Sequence, residues 1–257
     1  QFVNAIIATG SRPFVLPNIP VDPRIWDSTA ALRLTTVPER LLIIGGGIIG
    51  LEMAQIYSAL GAKITIVEML EQIIPPADKD LVQPLFLKLK KQYTILTRTK
   101  VTEIRPTANC IEVQFDGTNV PEGGGFDAVL VAIGRRPNTA DMGLADIGLQ
   151  LNERGFLQVD ARQAANIPHF YGVGDVVGEP MLAHKATHEG KVAAEVIADH
   201  DVAVSLGAIP SVAYTNPEIA WVGLTEKEAK AKNIDFDKGK FLWGASGRAL
   251  SVGAQMG

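Results

Sequence analysis

The sequence is poor in cysteine. Its single example, Cys110, can form neither an internal disulfide nor a CxxC redox pair. It heads an alternating run, Cys110-Ile111-Glu112-Val113-Gln114-Phe115, and is expected as a small core residue on a strand. Long hydrophobic runs are also lacking. The longest, residues 41–54, is broken by four glycines and Glu52, which makes it too short and too interrupted to cross a bilayer. No signal peptide reads at Gln1. Neither sign of charge dominates. The 24 basic and 28 acidic residues leave a net charge of −4, which argues against a nucleic-acid surface and gives no reason for an anionic-membrane partner. No metal site is expected.

Apolar residues are plentiful, at 47%, and 257 residues suffice for one large domain or two ordinary ones. The chain opens directly on a strand-like stretch, residues 1–8, and residues 251–257 stop without a cap. An internal segment of a longer polypeptide is therefore expected.

Leu41-Leu42-Ile43-Ile44 is the all-apolar run of a parallel strand covered on both faces. Gly45-Gly46-Gly47-Ile48-Ile49-Gly50 follows, then a helix over residues 48–60 ended by Gly61, then a second strand, residues 63–67. A lone G-x-G-x-x-G is weak, but here it follows a strand and opens a helix. Gly45 permits the tight turn, Gly47 lets backbone approach a pyrophosphate, and Gly50 lets the helix pack on the strand. The helix start presents free N–H groups and a positive dipole end to phosphate. Glu68 ends the second strand, where a carboxylate accepts adenosine ribose hydroxyls and repels a 2′-phosphate. The next basic residue is Lys79, so NAD is favoured over NADP. The competing readings are a structural turn with a surface acid, and a flavin at the same loop.

Beyond Pro75-Pro76, Asp78 is expected to cap a helix running to about Lys91. Short alternating runs then predict an antiparallel ribbon, with turns at Asp116-Gly117 and at Gly123-Gly124-Gly125. Residues 127–132 return to a buried strand. Residues 170–175 form another strand ending in an acid, a helix is predicted over 184–199, and the pattern changes at about Leu206 to a strand over 211–215 and a charged helix over 226–232.

Several segments carry a family resemblance. Ala8-Thr9-Gly10-Ser11-Arg12-Pro13, Ala132-Ile133-Gly134-Arg135-Arg136-Pro137-Asn138 and Tyr171-Gly172-Val173-Gly174-Asp175, taken with the glycine loop, resemble the ordered motifs of the pyridine-nucleotide disulfide oxidoreductases. Asp22-Pro23-Arg24-Ile25-Trp26-Asp27-Ser28, Pro180-Met181-Leu182-Ala183-His184-Lys185-Ala186 and residues 212–223 look like the dihydrolipoamide-oxidising branch of Gram-negative type.

The resemblance implies an α/β fold in which a Rossmann-like NAD-binding domain is inserted in part of an FAD-binding domain, followed by the start of an α+β interface domain. The expected segments are 1–35 and 156–205 for flavin, 36–155 for NAD and 206–257 for a partial dimerisation domain. NAD would use Gly45, Gly46, Gly47, Ile48, Ile49, Gly50 and Glu68, with Val101 near the adenine and Ala132, Gly134 and Arg135 at the crossover. FAD would touch Thr9 and Gly10, hydrogen-bond Asp175 through a ribityl hydroxyl, and lie near Met181, Leu182 and Ala183. His184 is expected in a capping or packing role. Glu52 matches a glutamate that pairs with a lysine beside the redox disulfide.

The resemblance further implies a cytoplasmic homodimer serving 2-oxo acid dehydrogenase complexes, with electrons passing from dihydrolipoamide through a disulfide and FAD to NAD. Sister flavoenzymes of the soluble transhydrogenase, mercuric reductase or glutathione reductase type, and a non-catalytic NAD-binding module, are the alternatives. The family's cysteine pair and its C-terminal His-Pro and Glu have no counterpart here, and His169, His184, His188 and His200 stand in no such segment. No catalytic set is complete, so these residues by themselves are expected to be inactive.

Overall fold

The computed structural model describes residues 2–118, 120–205 and 209–254. Gln1, the change of pattern at Leu206 and the last residues, 255–257, lie outside them. The chain begins with β1 (Ala5–Ile7), β2 (Ser11–Pro13), β3 (Ile25–Trp26), α1 (Ser28–Leu32), β4 (Arg40–Ile44), α2 (Ile48–Ala59) and β5 (Lys63–Val67). It continues through α3 (Lys79–Leu89), β6 (Thr94–Leu96), β7 (Thr99–Pro106), β8 (Ile111–Gly117), β9 (Gly123–Phe126), β10 (Ala128–Val131) and β11 (Arg135–Pro137). Then come β12 (Phe170–Gly172), a 3₁₀ turn (Gly174–Val177), α4 (Ala183–Ile197), β13 (Ser211–Ala213), β14 (Ile219–Trp221), α5 (Glu226–Ala231), a second 3₁₀ turn (Trp243–Ala245) and α6 (Gly247–Ser251).

Two compact units are formed. One comprises residues 14–134 and 212–257, the other residues 1–13 and 135–211. The unit borders therefore fall near residues 13 and 134, whereas the motif pattern places breaks at 35 and 155. Residues 14–35 join the larger unit because β3 pairs in parallel with β10, Val129 opposite Ile25. Asp27 accepts the Ala30 N–H at 2.7 Å and so caps α1.

The larger unit is built on a five-stranded parallel sheet of order β3-β10-β4-β5-β6. Its apolar strands alternate between two faces. Leu41 and Ile43 of β4 point into a core with Leu51, Ala54 and Tyr57 of α2 and Val82, Leu85 and Leu89 of α3. Leu42 and Ile44 meet Ile111, Val113, Phe115 and Phe126 of the antiparallel sheet β7-β8-β9. The all-apolar run is thus explained by cover on both sides. Ala213 and Ile219 join the helix-side core.

The Tyr57 hydroxyl donates to the Ala31 carbonyl at 2.7 Å, and burial raises its pKa. Three details differ from expectation. Gly123, Gly124 and Gly125, expected as a turn, form β9 and pair with Gln114, Val113 and Glu112 of β8, which they approach so closely that a Cβ on Gly123 would lie 2.4 Å from the Val113 carbonyl oxygen. Cys110 is only half-buried and sits in the turn before β8, where its backbone carbonyl accepts from Thr107 rather than its thiol packing in the core. Asp78 stands at the start of α3 but makes no side-chain cap there, because its carboxylate accepts the Glu226 N–H at 3.1 Å.

In the smaller unit, β1 and β12 run parallel and β2 and β11 antiparallel. Ile7, Leu144, Leu149, Leu157 and Val176 form its core. Among the described residues no helix is long and apolar enough to cross a membrane.

Candidate functional site

The glycine loop lies at the end of β4, where the chain order reverses. From β4 the sheet continues to β5 and β6 on one side and to β10 on the other. Such a reversal opens a crevice beyond the strands' carboxyl ends, the place where α/β sheets bind ligands.

The loop's glycines have separate causes. Gly45 has φ +110°, and a Cβ there would lie 2.4 Å from the Ala132 carbonyl oxygen. A Cβ on Gly50 would lie 2.2 Å from the Gly45 carbonyl oxygen, so α2 starts this close to the strand only with glycine. Gly47 is different. Its φ −76° and ψ −177° suit any residue, and no protein atom lies within 4 Å of where its Cβ would stand. The fold itself places no demand for glycine there. A phosphate approaching the backbone does, and on this observation the loop fits the pyrophosphate of a dinucleotide. The N–H groups of Ile48, Ile49 and Gly50 open α2 and have no acceptor within the helix.

Gly46 fixes the loop from below. Its N–H donates to Glu68 Oε2 at 2.8 Å, and its carbonyl accepts the Ile74 N–H at 2.9 Å. Glu68 Oε1 accepts the Leu70 N–H at 2.8 Å. Glu68 therefore already serves the backbone with both oxygens, and each keeps a second lone pair for a ribose hydroxyl. The buried Ile73 and Ile74 form the floor under the loop.

The Ala132 N–H donates to the Ile44 carbonyl at 2.8 Å and ties the end of β10 beside the loop. Gly134 has φ +125° and accepts the Phe14 N–H at 3.0 Å. Val101 is half-buried on β7 at a register shift against β8. Glu52 is half-buried on α2, and its Oε1 accepts the Tyr214 N–H at 2.9 Å.

Thr9, Gly10, Asp175, Met181, Leu182 and Ala183 all belong to the smaller unit, and so does Arg135. Arg135 is expected at the crossover, and its side chain turns to Ser11. Its Nε donates to Ser11 Oγ at 2.6 Å and its Nη2 to the Ser11 carbonyl at 2.8 Å. Ser11 Oγ in turn donates to Asp175 Oδ2, which lies 4.0 Å from Arg135 Nε. Thr9 Oγ1 donates to the Asn138 carbonyl at 2.7 Å, and Asn138 returns a bond to Thr9 at 2.9 Å. Asp175 keeps about a quarter of its side chain exposed (26%), so a ligand hydroxyl can reach it. Gly10 has φ +69° and open space where a Cβ would be. A carboxylate oriented by neighbours and still exposed fits a polyol chain such as a flavin's.

Met181 and Leu182 lead into α4 half-buried, and Ala183 is exposed. The His184 Nε2–H donates to the Pro210 carbonyl at 2.8 Å, a packing role. One pair escaped sequence reading. Lys185 and Glu189 are almost wholly buried and form an ion pair at 2.8 Å. The signal was present, since both fall on the same helical stripe as Val192, Ala193 and Val196.

Comparison with known proteins adds the following. The family model described as pyridine nucleotide-disulphide oxidoreductase matches residues 1–190, and the model for that family's dimerisation domain matches residues 209–257. The chain is 52% identical over 252 residues to the dihydrolipoyl dehydrogenase of Vibrio cholerae, covering 97% of this chain and 53% of that protein. It is 42% identical to that of Geobacillus stearothermophilus, covering 98% of this chain and 54% of that protein. The chain thus spans about half the length of the curated relatives it matches. Among solved structures, it resembles the HOCl-induced flavoprotein disulfide reductase RclA from Escherichia coli with a TM-score of 0.85 at 28% identity, covering 99% of this chain and 59% of that one. It also resembles LpdA from Mycobacterium tuberculosis with a TM-score of 0.87 at 25% identity, covering 97% and 55%.

Proposed function

The chain belongs to the pyridine nucleotide-disulphide oxidoreductases, and from that premise we propose that it carries the NAD site and part of the FAD site of a dihydrolipoyl dehydrogenase. The observation that carries the reading is the glycine loop at the strand-order reversal, with an unforced glycine at Gly47 and an acid, Glu68, beside it.

When bound, NAD supplies a two-electron acceptor and FAD a two-electron relay. The chain's own residues bind and orient. The N–H groups of Ile48, Ile49 and Gly50 and the dipole of α2 hold a pyrophosphate. Glu68 receives the adenosine ribose, and its charge rejects a 2′-phosphate. Ala132 and Gly134 border the crevice, and Val101 lies toward the adenine. Thr9, Gly10 and Asp175 hold the flavin's sugar chain, with Ser11 and Arg135 orienting the Asp175 carboxylate. Met181, Leu182 and Ala183 approach the flavin ring. Glu52 matches the glutamate that pairs with a lysine beside the redox disulfide, and the N–H of Tyr214 fixes its carboxylate.

Oxidation of a dithiol needs a thiolate and a base. The reading assigns both to parts of the whole protein beyond these residues. The whole protein is then a cytoplasmic homodimer that serves 2-oxo acid dehydrogenase complexes. The acid at Glu68 weighs against the NADPH-using sister enzymes.

Titration of the whole protein with NADH and NADPH, read by fluorescence, tests the site. NADH binds and NADPH binds far more weakly. Glu68→Ala weakens NADH about tenfold, the loss of one to two hydrogen bonds to a charged acceptor. Equal affinity for the two nucleotides in the unaltered protein overturns the assignment.

A further inference from the structure

We propose that the buried Lys185–Glu189 pair of α4 is a positioning device for Asp175, acting through the backbone of the 3₁₀ turn that carries it. The inference rests on the flavin reading of Asp175 given above.

A buried ion pair adds little or nothing to stability over a well-packed apolar pair, because desolvating two charges offsets their attraction. Lys185 and Glu189 nevertheless lie on the buried stripe of α4, with side chains 3% and 2% exposed. What they do that apolar side chains cannot is grip backbone. Glu189 Oε2 accepts the Gly174 N–H at 2.7 Å. Lys185 Nζ donates to the Gly174 carbonyl at 3.4 Å and to the Gly178 carbonyl at 3.2 Å. Both polar groups of Gly174 are therefore taken by one pair, which also reaches the far end of the turn.

The turn needs such a hold. Gly174 and Gly178 have φ of +81° and +132°, conformations that glycine adopts with the greatest loss of freedom on folding. The Asp175 carboxylate is fixed separately, by Ser11 Oγ. Asp175 is thus set at two levels, its main chain by α4 and its side chain by β2 and β11. Releasing the main chain leaves the fold intact and moves the acceptor.

The test uses the whole protein, stripped of flavin and titrated with FAD, with flavin fluorescence and visible circular dichroism as readouts and urea melts alongside. Lys185→Met with Glu189→Leu removes both charges and both grips. Lys185→Met with Glu189→Gln keeps a carbonyl for the Gly174 N–H. The first double variant melts at lower urea, since the buried Gly174 N–H loses its acceptor, but still folds, and it binds FAD about tenfold more weakly with a changed flavin dichroism. The glutamine variant recovers most of the affinity. Parental affinity and dichroism in both overturn the inference.

If the double variants do not fold, Glu189→Asp decides, because it keeps the charge pair but withdraws the carboxylate from Gly174. Weaker FAD binding supports the role, and unchanged binding overturns it. Asp175→Ala runs in the same assay. If it leaves FAD affinity unchanged, the flavin reading itself fails, and the inference with it. If Asp175→Ala weakens FAD and the pair variants do not, only the inference fails.

Discussion

A Cβ on Gly50 would lie 2.2 Å from a backbone oxygen, whereas a Cβ on Gly47 would meet nothing within 4 Å. Alanine at the two positions therefore has different consequences. Gly50→Ala forces α2 away from β4 and costs stability by about 2 kcal/mol or more, as overpacking against backbone does. Gly47→Ala lowers the unfolding free energy by only about 1 kcal/mol or less, the cost of alanine at an N-cap with open space around it. It still crowds the pyrophosphate, and NADH affinity falls several-fold. Urea melts and NADH titration of both variants separate these outcomes, and a Gly47→Ala protein that binds NADH normally removes the ligand argument for that glycine. The roles of Gly45 and Gly50 were legible in sequence because their spacing encodes them. The use of Glu68 was not. Its bonds to the N–H groups of Gly46 and Leu70 depend on where β5 ends relative to the loop, which spacing along the chain does not give. The bond between Arg135 and Ser11 was hidden for a similar reason. The Arg135 motif follows the buried strand β10 directly, and only the pairing of β11 with β2 puts it beside Ser11.

At the level of elements, periodicity and turn chemistry located most strands and helices, since many are bounded by a glycine, proline or cap. Partner choice was less legible. Asp78 has the position of a helix cap but bonds to the start of α5. Thr225 and Glu228 already form a capping box there. The segment after α5 is held by charge. Lys238 donates to Asp80 at 2.9 Å and to Glu226 at 2.8 Å, and Lys230 also donates to Glu226. Hydrogen bonds from Lys230 and Lys238 lower the Glu226 pKa to about 2, and Lys238 likewise lowers that of Asp80. A carboxylate with a depressed folded-state pKa stabilises the folded state above its ordinary value and loses that contribution as pH falls through the folded value. Amide protection of residues 229–234, whose N–H groups bond within and just after α5, is therefore greater at neutral pH and declines as pH falls below about 4.5 toward 2. Lys238→Met lowers that protection at neutral pH with little change in global stability, as expected of exposed ion pairs. Peptide-resolved hydrogen exchange, corrected for intrinsic rates, reads both effects. Protection that is the same in the parent and in Lys238→Met would leave the charge tether without a role.

The whole molecule divides into units of unequal core. The larger has extended apolar clusters on both faces of its parallel sheet, while the smaller has one compact cluster around Ile7, Leu144, Leu149, Leu157 and Val176, beside the buried face of α4. This division was only partly legible. The motifs marked where the chain crosses, but residues 14–35 carry no strong pattern, and only the pairing of β3 with β10 assigns them to the larger unit. Stability scales with apolar surface buried, so the smaller unit opens first. All three tryptophans, Trp26, Trp221 and Trp243, belong to the larger unit, so their fluorescence is silent to that opening. Increasing urea thus exposes amides of residues 144–197 to exchange before the tryptophan signal shifts. A ligand that binds only a folded unit stabilises that unit by mass action. FAD, whose proposed contacts Thr9, Gly10 and Asp175 all lie in the smaller unit, therefore moves the early exchange transition to higher urea and leaves the tryptophan transition in place, while NADH does the reverse. Ligand shifts that appear in the opposite transitions, or a single transition by both probes that each ligand moves equally, would refute this assignment of cofactors to units.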